Sequence, residues 1–328
     1  MALASKLEKE IFGVRPSGFT GLAIEIFRFQ YAHNTLYRAW VDTLGVQPSG
    51  VVALEKIPFL PVSFFKTGDV RTTDFVPQAI FESSGTSGTG GSRHEVKDLD
   101  LYRKSFIMGF KEFYGPVEDY CIIGLLPAYL ERSNSSLVVM VHELIAISGH
   151  PDSGFYLYEH EKLYQVLQRL EAAGKKVLLI GVTFALLDFA EKYSMKLKHT
   201  IAMETGGMKG RRKEITRPQL HGFLQGRLGV DTIHAEYGMT ELLSQAYSSG
   251  GGRFYCPPWM KVLVRKEDDP LDVTDRGEGL LNIIDLANIY SCSFIAVDDI
   301  GYIHDDEGFD VSGRMDHSDV RGCSLMVL

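Results

Sequence analysis

Between Phe81 and His94 the chain reads Phe-Glu-Ser-Ser-Gly-Thr-Ser-Gly-Thr-Gly-Gly-Ser-Arg-His, a density of glycines and hydroxyls that no packed helix or strand interior accommodates. Glycine reaches backbone conformations closed to other residues, so successive N–H groups can turn toward one anion. Ser83, Ser84, Thr86, Ser87 and Thr89 place hydroxyl donors around Gly85 and Gly88. The stretch reads as a phosphate-binding loop, and the alternative for such a composition is a solvated, flexible linker. It matches neither common nucleotide signature. A Walker loop needs Gly-Lys-Ser/Thr where this chain has Gly90-Gly91-Ser92, and the G-x-G-x-x-G fingerprint is absent.

The 328 residues suffice for a large core, and 45% hydrophobic with 23% charged residues is an ordinary globular composition. Net charge is −8, from 34 Lys+Arg against 42 Asp+Glu. That balance argues against a general nucleic-acid or anionic-membrane surface and leaves small molecules or proteins as partners. No apolar run approaches the roughly 20 residues of a spanning helix, and Met-Ala-Leu-Ala-Ser-Lys lacks a signal-peptide core, so the expectation is a cytoplasmic protein without an integral membrane segment. Cys121, Cys256, Cys292 and Cys323 are widely spaced with no C-x-x-C pair, and each is expected to be a free thiol.

Leu22, Ile26, Phe29, Leu36 and Trp40 recur at near-helical spacing and predict an amphipathic helical segment from Gly21 to about Leu44 that packs on the core. The prolines and aromatics of Ile57–Phe65 suit extended, buried chain. Beyond the glycine loop, apolar runs at Cys121–Leu126, Lys176–Gly181, Thr200–Met203 and Thr232–His234 read as strands. They alternate with helical stretches at Ser136–Ile147, Glu161–Ala173, Phe184–Tyr193 and Thr216–Leu228, with Thr216 as cap and Pro218 in the first turn. That rhythm is α/β, a parallel-rich sheet with crossover helices. From Trp259 the pattern changes to short runs, Lys261–Val264, Leu280–Ile284 and Phe294–Val297, joined by acidic and glycine turns. The expected organisation is an α/β nucleotide- and acyl-binding core over residues 1–258, then a small β-rich subdomain over 259–328. Ser324–Leu328 is apolar and suggests a docking strand. His142, in the apolar run Val138–Ile145, reads by default as a satisfied core histidine.

A second informative stretch is His234-Ala-Glu-Tyr-Gly-Met-Thr-Glu241, after a predicted strand and before a predicted helix, where open α/β sheets bind ligands. An aromatic ring can stack on a base, a threonine can hold a phosphate oxygen and a glutamate can hold Mg2+. The plainer alternative is a strand-to-helix turn capped by Thr240.

Together, Ser-Gly-Thr-Ser-Gly-Thr-Gly-Gly and Tyr-Gly-Met-Thr-Glu resemble motifs of the adenylate-forming acyl-activating enzymes. Val297-Asp-Asp-Ile-Gly301 is similar to that superfamily's Asp-x-Gly segment, and Phe309-Asp-Val-Ser-Gly-Arg-Met-Asp316 to its Gly-Arg-x-Asp hinge. The resemblance implies the superfamily's N-terminal-domain-like fold, with ATP and Mg2+ as cofactors. It makes Ser83 through Gly91 the phosphate cradle, with Ser84, Gly85, Thr86, Ser87, Gly88 and Thr89 at its centre. Gly206, Gly207, Met208, Glu236, Tyr237 and Gly238 would border the nucleotide. Thr240 would contact the α-phosphate, Glu241 the metal, Asp299 the ribose hydroxyls, and Arg314 the ribose or phosphate.

Most members carry a lysine in the phosphate loop and a mobile C-terminal domain with another; here Arg93-His94 follow the loop and twelve residues follow Asp316. Arg93, His94, Lys209 and Arg314 are the candidates for the missing positive charge. One short branch, the LuxE-type acyl-protein synthetases, has a cysteine near the C-terminus that accepts the acyl group, and Arg321-Gly-Cys-Ser324 places Cys323 there. Leu126–Ser136 and Thr205–Arg212 are also similar to segments of that branch. The implied function is ATP-dependent activation of a long-chain fatty or other carboxylic acid as acyl-AMP, then transfer to Cys323 as a thioester for an acyl-accepting reductase or transferase. Thr240, Arg314 and Cys323 would be the catalytic residues. The apolar stretches around Phe184, Leu187 and Tyr247 would wall the acyl site. A ligase of the phenylacetate-CoA type and a degenerate nucleotide-binding module are the alternatives.

Overall fold

The computed structural model describes residues 2–83, 91–126, 133–206 and 215–315. The chain opens with three helices, α1 (Ala2–Ile11), α2 (Pro16–His33) and α3 (Thr35–Thr43). The single segment expected from Gly21 to Leu44 is broken at Asn34, whose side-chain oxygen accepts from the Tyr37 N–H while its amide donates to the Ser291 carbonyl at 3.0 Å. That cap starts a new helix and ties it to the distant core.

Next come β1 (Leu60–Pro61) and the short helix α4 (Phe64–Thr67). The Ile57–Phe65 stretch is thus extended at Ile57 and over Leu60–Pro61, and turns helical from Phe64. The hairpin β2 (Ala79–Glu82) and β3 (Arg93–Val96) flanks the glycine loop and leads into α5 (Leu99–Tyr114). The expected α/β alternation then follows as β4 (Cys121–Leu125), α6 (Ser136–Ser148), β5 (Gly154–Phe155), α7 (His160–Ala172), β6 (Val177–Val182), α8 (Thr183–Lys192), β7 (Thr200–Thr205), α9 (Arg217–Leu228) and β8 (Ile233–Tyr237). A capping box between Thr216 and Gln219, with proline in the first turn, starts α9. The antiparallel β9 (Ala246–Ser248) ends this sheet, whose order is β5-β4-β6-β7-β8-β9. Every residue of β4 and β6 is buried, as expected of parallel strands covered on both faces.

His142 is exposed on α6, a correction to the core placement expected of it, while Val138, Met140, Val141 and Leu144 face inward. Within the run Val138–Ile145, His142 alone is exposed.

The second sheet contains β10 (Arg253–Phe254), β11 (Met260–Arg265), β12 (Val273–Thr274), β13 (Gly277–Asp285), β14 (Phe294–Ile303) and β15 (Phe309–Arg314), in the order β10-β15-β14-β13-β11-β12. Its partners are antiparallel, except that β1 joins β14 in parallel, with Leu60 opposite Ile295. One continuous apolar core runs through helices and both sheets. Cys121, Cys256 and Cys292 are free thiols, and burial raises the pKa of each. Among the described residues no helix is long and apolar enough to cross a membrane. Cys323 and the Ser324–Leu328 strand expectation lie outside the described residues.

Candidate active site

The C-terminal end of β8 meets the second sheet, where the Tyr237 hydroxyl reaches Asp299. Ligands of open α/β sheets bind at such strand ends. The helix expected after Tyr-Gly-Met-Thr-Glu is not there: an irregular turn leads straight into β9. The buried Asp285 carboxylate replaces helical hydrogen bonding by accepting from the Leu243 and Ser244 N–H groups at 2.8 and 2.9 Å and from the Ser244 hydroxyl at 2.6 Å. Burial still raises Asp285 to about 6 against these stabilising contacts. Asn288 adds a bond from its amide to the Glu241 carbonyl at 2.8 Å.

At the neck of the glycine loop, the Ser83 N–H donates to the Ser92 carbonyl at 3.0 Å and the Ser92 N–H donates to the Ser83 hydroxyl at 2.8 Å. Gly91 has no room for a side chain, because a Cβ there would lie 2.3 Å from the Ser83 carbonyl oxygen. Ser84, Gly85, Thr86, Ser87, Gly88 and Thr89 lie outside the described residues, as do Gly207, Met208 and Lys209.

The Ser92 side chain acts on the Glu241 carboxylate and favours its charged form, which sets the loop neck beside the second motif. Burial raises the pKa of Glu241, and Ser92 and the charges of Arg314 and Lys66 oppose that rise. Lys66, on α4, was not among the cations anticipated from sequence. It lies before the glycine loop in a stretch whose prolines disguise a helical turn. The His94 ring is buried, and its Nδ1 lies 2.9 Å from the Thr240 carbonyl oxygen. Burial lowers His94 to about 4, so it is neutral at physiological pH and is not a source of positive charge. Arg93 is exposed and pairs with Glu95 at 3.3 Å.

On the second sheet Asp299 and Arg314 are cross-strand partners. Register shifts between Ile300 and Gly301, where β15 inserts Ser312 as an extra residue, and such a bulge re-aims the side chains beyond it. A Cβ at Gly301 would stand 2.4 Å from the Asp310 carbonyl oxygen, which explains the glycine of the Asp-x-Gly segment. The Tyr237 hydroxyl donates to Asp299 at 2.7 Å, and its ring packs edge-on against Phe254 and Phe309. Burial raises the pKa of Asp299, with the Tyr237 bond and the Arg314 charge opposing it. Arg314 is exposed and approaches Asp298 at 3.9 Å.

Glu236 lies beneath this segment. It accepts from the Thr205 hydroxyl, and a Cβ on Gly238 would come within 2.4 Å of its carboxylate oxygen. Burial first, and then the nearby Glu204 charge, raise it to about 7. Gly206 has the left-handed φ of 63°, and its carbonyl accepts from Thr183 at 2.5 Å. On the opposite face of β7, Glu204 meets Arg217 at 3.4 Å.

The three residues expected to wall an acyl site do not share a face. Tyr247 stands opposite Glu236 and packs on Phe113 and Tyr114 of α5. Phe184 and Leu187 belong to α8, which packs with α9 on the side of Glu204. Alternate residues of a strand point to opposite faces, so Glu204 and Thr205 divide these groups.

Among the described residues no cluster of three or more His, Cys, Asp or Glu could hold a metal by itself. A single buried carboxylate, Glu241, nevertheless suits Mg2+, which binds one or two carboxylates together with substrate phosphates and water.

Solved structures share this architecture. The ATP-bound crystal structure of MatB from Rhodopseudomonas palustris matches with a TM-score of 0.54 and 14% identity, over 72% of this chain and 48% of that one. The 2-hydroxyisobutyryl-CoA ligase in the postadenylation state, in complex with 2-HIB-AMP, matches with a TM-score of 0.64 and 13% identity, over 94% and 70%. At these identities the likeness is one of fold, and the chain spans about half the length of MatB. No curated protein matches the sequence. The fold is thus that of the adenylate-forming enzymes. Within it, the model of the family described as acyl-protein synthetase, LuxE, matches residues 19–328, and the chain belongs to that family.

Proposed function

We propose that the protein is an ATP-dependent acyl-protein synthetase. The observation that carries this reading is the convergence of Tyr237 at the end of β8, and Thr240 and Glu241 in the turn after it, with Asp299 and Arg314 of the second sheet, beside the neck of the glycine loop. Asp299 would hold the ribose hydroxyls, with Gly206, Gly207, Met208, Glu236, Tyr237 and Gly238 bordering the base. Ser83 to Gly91 would cradle the phosphates. Glu241 would hold Mg2+, which when bound neutralises phosphate charge and orients the chain for displacement.

In the first step a carboxylate oxygen of the acid attacks the α-phosphorus, the bond to the β-phosphate oxygen breaks and pyrophosphate leaves. Thr240 and Arg314 would stabilise the charge gathering on the phosphoryl oxygens, with Lys66 adding a second cation near Glu241. In the second step the thiolate of Cys323 attacks the acyl carbonyl and AMP leaves, giving an acyl-cysteine thioester, while the thiol proton passes to solvent. A reductase or transferase would consume that thioester, and a long-chain fatty acid is the proposed substrate.

The test is incubation with ATP, Mg2+ and a radiolabelled long-chain fatty acid, followed by denaturing electrophoresis of wild type and Cys323→Ala. A labelled band that hydroxylamine removes and Cys323→Ala lacks is expected. An equal band in the variant would exclude Cys323 as acceptor. AMP formation without a band would indicate a soluble thiol acceptor such as coenzyme A, and failure to exchange pyrophosphate into ATP would indicate a nucleotide-binding module without the chemistry.

A further inference from the structure

Resting on the nucleotide reading above, we infer that His94 is a positioning residue: an imidazole strut that fixes the Thr240–Glu241 backbone where Mg2+ and the phosphates of ATP would bind. His94 and Thr240 are far apart in sequence, and with Ser92 acting on Glu241 their contact joins the glycine-loop hairpin to the second motif. A carbonyl oxygen only accepts, so the 2.9 Å contact requires the proton on Nδ1. That fixes the tautomer and leaves Nε2 as an acceptor, which is buried and has no hydrogen-bond partner among the described residues. Buried polar atoms are rarely left unpaired, so this ring is held by the geometry of the Nδ1 contact at the expense of its other nitrogen.

The surroundings enclose the ring and disfavour its charged form. The pairing of β2 with β3 sets His94 opposite Phe81, and Phe65 of α4 meets it edge-on at 5.6 Å and 82°. The next residue on α4 is Lys66, one of the two cations acting on Glu241, so the same ring braces the helix that supplies that charge. The ionisable groups of the adjoining elements are engaged elsewhere. Arg93 and Glu95, on either side of His94 along β3, pair with each other, and Glu95 also meets Arg71 at 3.5 Å. Glu82 on β2 accepts from Asn134 at 2.7 Å. Lys66 on α4, and Arg314, act on Glu241 of the motif. Burial is the main influence on His94 and disfavours its charged form.

Asparagine and glutamine separate the strut from a merely space-filling side chain. The Asn amide can place an N–H near the position of Nδ1, whereas the longer Gln amide reaches toward Nε2. Isothermal titration of the whole chain with an α,β-methylene ATP analogue and MgCl2 should show His94→Ala and His94→Gln binding weaker by about tenfold, and His94→Asn close to wild type. Thermal melts of the Asn and Gln variants, which are similar in size and polarity, control for folding. In 15N-labelled wild type the His94 ring should give the Nδ1–H neutral signature unchanged between about pH 5.5 and about pH 8. Titration of His94 inside that range, equal affinities for the Asn and Gln variants, or undiminished binding by His94→Ala would overturn the inference while leaving the nucleotide reading standing. Wild type that does not bind the analogue would overturn that reading, and the inference with it.

Discussion

The Tyr237 hydroxyl donates to the Asp299 carboxylate across 2.7 Å, linking the end of the parallel sheet to the antiparallel one at the proposed ribose position. The bond favours ionised Asp299 against burial, which raises its pKa. A carboxyl at this position offers the acceptor oxygens that a ribose diol would need.

Replacing Asp299 with Asn should raise the KM for ATP by about tenfold to a hundredfold, since hydrogen bonds to charged groups contribute roughly 1.5–3 kcal/mol. Tyr237→Phe should have a smaller effect in the same direction, because it removes support for the charge and leaves the carboxylate in place. Acid-dependent pyrophosphate exchange at varied ATP measures both. An unchanged KM in Asp299→Asn would remove that residue from the nucleotide site.

Glu241→Gln should separate function from stability. Burial raises the pKa of the native carboxyl, so its neutral isostere should fold at least as well as wild type, while exchange falls by about a hundredfold and loses its Mg2+ dependence. Chemical denaturation and exchange at several Mg2+ concentrations check the two halves. Full activity in the variant would mean that the metal is held elsewhere.

Glu236 provides a pH prediction. Its pKa rises from 4.5 to about 7 on folding, so between those values the native state keeps a proton that the unfolded chain has released. This contribution to stability is therefore lost as pH rises through that window. At pH 8 Glu236→Gln should be more stable than wild type by roughly 3 kcal/mol, with the difference vanishing near pH 4. Urea denaturation across this range measures it, and parallel pH profiles for the two proteins would contradict the assignment.

Asp285→Ala should lower stability by roughly 3 kcal/mol, because it strands the Leu243 and Ser244 donors in the interior. The Trp259 indole, which donates to Ser244 at 3.0 Å, should report the loosened turn by fluorescence. A melting temperature equal to wild type would show that this turn is held by other contacts.

The α/β half was legible in the sequence because its central strands are covered on both faces and appear as unbroken apolar runs, as at Val177–Val182. Thr216 and Pro218 announced α9 by local chemistry alone. The motif residues were legible as chemistry, but their supports were not. Asp285 reads as an ordinary acidic residue at a strand end, and its role exists only once the 243–244 backbone is brought to it. Lys66 and Ser92 likewise acquire meaning from contacts across the chain. The Tyr-Gly-Met-Thr-Glu pattern points to a helix start, whereas the Asp285 carboxylate organises a turn there that local pattern does not signal.

Strand β1 contributes only Leu60 and Pro61, yet it lies against Ile295 and Ala296 on the same edge of β14 that β15 occupies further along. During synthesis this early segment has no β-partner until residues near position 296 have left the ribosome. Such distant pairing carries a large loop-closure cost and slows folding. The parallel sheet, whose strands are nearer neighbours in sequence, can assemble first, leaving Asp299 and Arg314 to arrive last. A nascent chain would therefore complete its parallel sheet before its antiparallel one, and the edge awaiting β14 is where a chaperone would have the longest time to act.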